Sequence, residues 1–184
     1  MQKTSIMRQG ETGRGIGYVH VYTGNGKGKT TAALGLALRA SGAGKRVLVA
    51  QFLKGRASSE HTALKQLKNI AVQQFGGASF IVKKPSAVDC RCARKGLKTI
   101  ERAIGSGTYD LVILDEAAVA VYFGLFSEVR LLEIIKNRPA YVEIVVTGRK
   151  ASKRLIGAAD LVTEMKEVKH YFHAGVGSRK GIED

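Results

Sequence analysis

The stretch Tyr22-Thr23-Gly24-Asn25-Gly26-Lys27-Gly28-Lys29-Thr30-Thr31 decides the fold. Residues 16–21 ahead of it (Ile-Gly-Tyr-Val-His-Val) alternate and are β-branched enough to form a strand. Behind it, Ala32-Ala33-Leu34-Gly35-Leu36-Ala37-Leu38-Arg39-Ala40 is a run of helix formers, closed by Gly42-Ala43-Gly44. A glycine-rich turn between a strand and a helix is the setting in which a phosphate loop works. Its glycines let several N–H groups converge on one anion, and the helix N-terminus adds partial positive charge. The phosphate-binding candidates are therefore Gly24, Asn25, Gly26, Lys27, Gly28, Lys29, Thr30 and Thr31. Lys29 is placed to reach the β- and γ-phosphates, and the Thr30 hydroxyl to sit on Mg²⁺. One position departs from the usual G-x-x-x-x-G-K-[ST] spacing. Thr23 stands where the first glycine belongs, and Gly24 comes one place late.

A second segment completes the site. Leu111-Val112-Ile113-Leu114 is a buried strand that ends in Asp115-Glu116. Such a strand delivers its carboxylates beside the loop, where a hard cation takes oxygen ligands. Thr30, Asp115 and Glu116 are the metal-binding candidates, and Lys29, Asp115 and Glu116 the catalytic ones. Thr147-Gly148-Arg149 ends a further strand, and the planar fork of Arg149 suits a phosphate. Lys54 follows the second strand in the same way.

Strand and helix patterns alternate along the chain. Residues 46–52 read as a buried parallel strand, 60–68 as a short helix and 70–75 as a strand. Residues 76–90 have weak periodicity and read as a loop near the site. Residues 92–104 read as a helix, as do 117–123 and 128–137, the last stopped by Pro139. Residues 141–146 form a strand, Ser152 caps a helix to Ala158, and 161–165 form a last strand. The expected fold is α/β, a mostly parallel sheet with helices on both faces and a RecA-like phosphate-loop core. Ligands then lie at the carboxyl ends of the strands. Residues 1–15 read as a mobile arm, and 16–184 as one domain.

The chain has 184 residues, of which 45% are hydrophobic and two are proline, so it has material for a real core. It has no apolar run of membrane-spanning length and no secretory signal pattern, which makes the cytoplasm the expected location. Its two cysteines, Cys90 and Cys92, make no disulfide framework, and their spacing against His170 and His173 is not a standard zinc pattern. Thirty basic residues against 15 acidic ones give a net charge of +15, which suits a polyanionic ligand or an acidic partner. No aromatic-rich nucleic-acid signature accompanies that charge.

The chain resembles the phosphate-loop ATP:corrinoid adenosyltransferases over residues 21–183. The resemblance rests on the loop, Thr23 included, and on Gln51-Phe52-Leu53-Lys54-Gly55 and residues 109–116. It extends through Asn137-Arg138-Pro139, Val146-Thr147-Gly148-Arg149 and Ala159-Asp160-Leu161-Val162-Thr163-Glu164-Met165, then Val168-Lys169-His170 and Gly175-Val176. It implies that a corrinoid Co(I) attacks the 5′ carbon of ATP, releasing triphosphate. It further implies ATP as co-substrate, Mg²⁺, a reduced flavoprotein as electron donor and a homodimer. An apolar corrinoid pocket follows from it, with Phe80, Tyr122 and Phe123 as candidates. Two positions depart from the family pattern: Ala118 stands where a polar residue is usual, and the chain has no tryptophan. A phosphate-loop ATPase acting on nucleic acid competes with this reading, as does an ATP- and corrinoid-binding homologue with little transferase activity. A small-molecule kinase is a weaker competitor, since no arginine-rich lid is evident.

Overall fold

The computed structural model describes residues 14–55, 58–77 and 85–183. In chain order the strands are β1 (Val19–Thr23), β2 (Val47–Phe52), β3 (Ile70–Phe75), β4 (Leu111–Asp115), β5 (Glu143–Thr147) and β6 (Leu161–Glu164). Between them run α1 (Lys29–Gly42), α2 (Ser59–Leu64), α3 (Ala87–Gly105), α4 (Ala117–Tyr122), α5 (Glu128–Lys136) and α6 (Lys153–Gly157). A single 3₁₀ turn, Tyr171–Ala174, follows β6.

The apolar runs explain the sheet. β2 and β4 are buried at every position, which requires cover on both faces. All pairings are parallel, in the order β3-β2-β4-β5-β1-β6. Successive side chains point to opposite faces, so β2 sends Leu48, Ala50 and Phe52 to one layer and Val47 and Val49 to the other. The first layer packs on Ala93, Leu97 and Ile100 of α3 and Leu131 and Ile134 of α5. The second packs on Ala33, Ala37 and Ala40, which share one face of α1 and let that helix approach the sheet closely.

The larger departures from the sequence reading are in β1, β5, α2 and α3. β1 begins at Val19 and runs to Thr23, and β5 begins at Glu143, not Tyr141. The helix expected over 60–68 ends at Leu64. α3 begins at Ala87, inside the segment read as a loop. Ser86 and Asp89 form a reciprocal capping box there, with Asp89 N–H donating to Ser86 Oγ at 3.2 Å and Ser86 N–H to Asp89 Oδ2 at 2.8 Å.

β6 is an edge strand, and all four of its residues are exposed. Asp160, just ahead of it, fixes the start of β1 by accepting from Val19 N–H at 2.8 Å.

Candidate active site

The phosphate loop is held from two directions. Gly24 and Gly28 have φ of 95° and 114°, a region that glycine occupies without strain. A Cβ on Gly24 would lie 2.3 Å from the Met165 carbonyl oxygen, and one on Gly26 2.8 Å from the Lys166 carbonyl carbon. Gly26 N–H donates to Met165 O at 2.7 Å, and Met165 N–H to Thr23 O at 2.8 Å. The chain just beyond β6 therefore packs directly on the loop. This explains the late glycine. Thr23 is the last, buried residue of β1, and the positive φ falls one residue on, at Gly24.

α1 starts at Lys29, so the unpaired amides of its first turn open at the carboxyl end of the sheet. Lys29 is 8% exposed, and its ammonium donates to Gly24 O at 2.7 Å and Gly26 O at 2.6 Å. Beside it the Thr30 hydroxyl donates to Asp115 Oδ1 at 2.8 Å. The two halves of the site read from sequence thus meet. β5 lies between β1 and β4, and it fills the gap with Thr147, whose hydroxyl donates to the same Asp115 oxygen at 2.7 Å. The other Asp115 oxygen accepts from Gln51 Nε2 at 3.1 Å and lies 3.4 Å from the Lys54 ammonium. Asp115 is 1% exposed and fully partnered.

Glu116 turns the chain from β4 into α4 in the left-handed conformation, with φ 59°, and its N–H donates to Thr147 Oγ1 at 2.9 Å. Burial and the neighbouring Asp115 charge push its carboxyl above the ordinary value, against the pull of Lys29, Lys54 and Arg149. Burial pushes the Lys29 ammonium below its ordinary value; Glu116 opposes this and Arg149 reinforces it. Lys29, Thr30, Thr31, Lys54, Glu60 and Glu116 line one cavity of about 740 Å³. Arg149 is exposed at the end of β5, within electrostatic range of Lys29 and Glu116. Asn25 is exposed on the opposite side of the loop, beside Glu164 and Lys166.

The model of the family ATP:corrinoid adenosyltransferase BtuR/CobO/CobP matches residues 15–183. The chain belongs to this family. It is 37% identical to the corrinoid adenosyltransferase of Pseudomonas aeruginosa over 169 residues, which is 91% of this chain and 83% of that protein. It is 33% identical to the Escherichia coli K12 corrinoid adenosyltransferase over 175 residues, 95% of this chain and 88% of that one. The corrinoid adenosyltransferase CobA of Salmonella typhimurium gives the same identity and coverage.

In this adenosyltransferase-family chain the C-terminal tail closes one wall of the cavity. Gly181, Ile182 and Glu183 line it together with His170. Lys27 is bound into that tail, its ammonium 2.7 Å from Glu183 Oε1, 2.9 Å from Ile182 O and 3.2 Å from Tyr171 Oη. Arg179 lies 4.7 Å over the Tyr171 ring and bonds Glu183, to which the Tyr171 hydroxyl also donates. The Arg179, Lys27 and Tyr171 contacts hold the Glu183 carboxyl well below the usual carboxylate range.

The corrinoid candidates are placed less centrally. Phe80 lies outside the described residues. Tyr122 is exposed at the end of α4, with its ring edge-on to Phe123, which packs against the core. Neither is among the residues lining the cavity of Lys29 and Glu116. Ala118 is 2% exposed and lies under the β5–α6 turn, where a Cβ on Gly148 would meet its methyl at 3.1 Å. Sequence reasoning assigned no role to Thr147, Gln51 or His61. Gln51 carried a readable signal as the polar residue near the tip of an otherwise apolar buried strand.

Proposed function

We propose that this chain transfers the 5′-deoxyadenosyl group of ATP to a Co(I) corrinoid and releases triphosphate. The cobalt electron pair forms the cobalt–carbon bond while the C5′–O bond breaks, and the leaving oxygen keeps that bond's electrons. No proton is removed, so the protein's work is to position ATP and to neutralise the departing triphosphate. The observation that carries this reading is the Thr30 hydroxyl 2.8 Å from Asp115 at the start of α1, with the buried Lys29 ammonium held against the loop beside it, in a member of this family. Lys29 and the first-turn amides would hold the phosphates. The Thr30 hydroxyl and the Asp115 carboxylate, with Glu116 beside them, are oxygen donors that fit a hard divalent cation. Bound Mg²⁺ would supply further positive charge to the triphosphate.

An anaerobic reaction with chemically reduced cobalamin and MgATP tests the proposal. The expected result is loss of the Co(I) spectrum with adenosylcobalamin and intact triphosphate as products. ADP formed without a corrinoid product, and stimulated by DNA or RNA, would replace this reading with the nucleic-acid ATPase that the net charge of +15 also suits.

The same charge favours an acidic, flavodoxin-like electron donor. Turnover coupled to such a donor is expected to slow several-fold between low and physiological salt, whereas turnover with a chemical reductant stays constant. Equal salt responses in the two assays would remove the docking argument.

A further inference from the structure

The carboxylate assigned to the metal is held by a buried polar chain that begins at an unrelated helix. Ser58 N–H donates to His61 Nδ1 at 2.8 Å, as part of the capping box that starts α2. The Ser58 carbonyl oxygen also lies 3.2 Å from Nδ1, but the N–H contact is shorter and a backbone N–H can only donate, so Nδ1 is an acceptor and the ring carries its proton on Nε2. That Nε2 lies 2.7 Å from Gln51 Oε1 and donates to it. The Gln51 amide is thereby fixed with its NH₂ toward Asp115 Oδ2, at 3.1 Å. Gln74 Nε2 approaches the same Gln51 oxygen at 3.4 Å, at the limit of hydrogen bonding. His61, Gln51 and Asp115 are 6%, 0% and 1% exposed, so water does not substitute for a missing partner.

We propose that His61 is a positioning residue. By donating to Gln51 it holds the amide in the one orientation that presents a donor to Asp115. This leaves Asp115 Oδ1 to the Thr30 side of the site, where the proposed cation would bind. The inference rests on the assignment of Asp115 to the metal. His61 touches neither ATP nor cation; it acts through Gln51. A reversed amide would set its oxygen against the Asp115 carboxylate and turn that carboxylate away.

Two near-isosteric substitutions separate this role from packing. His61→Gln keeps a donor at the Nε2 position, and His61→Met keeps the bulk without a donor. The affinity of the ATP-loaded protein for Mn²⁺, read from the electron spin resonance of the free ion, should fall about tenfold in His61→Met. In His61→Gln it should stay within about twofold of the parent. Equal losses in both, or none in either, overturn the proposal. Asp115→Asn in the same titration tests the underlying assignment. If it leaves Mn²⁺ affinity unchanged, the metal reading fails and the His61 role falls with it. If it weakens binding while His61→Met does not, only the His61 role fails. Ring ¹⁵N shifts give an independent check on the parent protein. A neutral Nε2–H pattern for His61, assigned by its loss in His61→Gln, is expected, and an Nδ1–H pattern overturns the proposal.

Discussion

Lys29→Ala is expected to abolish useful ATP binding while leaving the fold in place. The ammonium sits almost fully buried between two loop carbonyls, and burial already pushes its pKa down. A cation in that position lacks a full counter-charge, and a phosphate chain would supply one. Two charge-assisted hydrogen bonds to phosphate, lost together, amount to about 3 kcal/mol, on the order of a hundredfold in Kd. Transfer should suffer further, because charge grows on the leaving triphosphate as the reaction proceeds. Stability should change by only about 1 kcal/mol, since removing a buried ammonium offsets the loss of its bonds to carbonyls. Calorimetric titration with MgATP beside a thermal melt checks both halves. Parent-like ATP affinity in a folded variant would show that the phosphates lie elsewhere.

Asp115→Asn should be the second most damaging change. One carboxylate oxygen takes two hydroxyl donors, from Thr30 and Thr147, and the other takes Gln51 and faces Lys54. An amide has one acceptor for these four partners. Turned toward Gln51, its NH₂ meets another NH₂ and an ammonium. Turned toward the threonines, it forces a hydroxyl to accept, although Thr147 Oγ1 already accepts from Glu116 N–H. The folded state should lose about 1–3 kcal/mol. Transfer should fall by roughly a hundred- to a thousandfold at fixed Mg²⁺. Thr30→Ala should move in the same direction by about tenfold, because water can replace one hydroxyl ligand. Activity measured against Mg²⁺ concentration is the readout, and an Asp115→Asn titration curve that overlays the parent would refute the assignment.

What was legible in the sequence follows the range of the interactions. The loop and the Asp115 strand could be read because each is set by its immediate neighbours: an apolar strand, then glycines or carboxylates at its tip. The parallel sheet followed from strand–helix alternation, and the pairings bear it out. The start of α3 was missed because Ser86 and Asp89 specify it by capping, with no apolar periodicity ahead of it. Thr147 sat in plain view beside Arg149. Its bond to Asp115 depends on β5 lying next to β4, which is a fact of topology and not of spacing. His61 was invisible for the same reason. One histidine in a polar helix start carries no pattern, and its partner Gln51 belongs to another element.

The loop glycines packed against Met165 and Lys166 have a consequence for how the molecule is made. The loop lies near the front of the chain, but the backbone that clamps it comes from near the end. A ribosome therefore releases β1, the glycines and α1 long before the surface that fixes their geometry has been synthesised. The loop is clamped only when β6 adds to the open edge of β1, so a growing or C-terminally shortened chain carries the motif without its clamp.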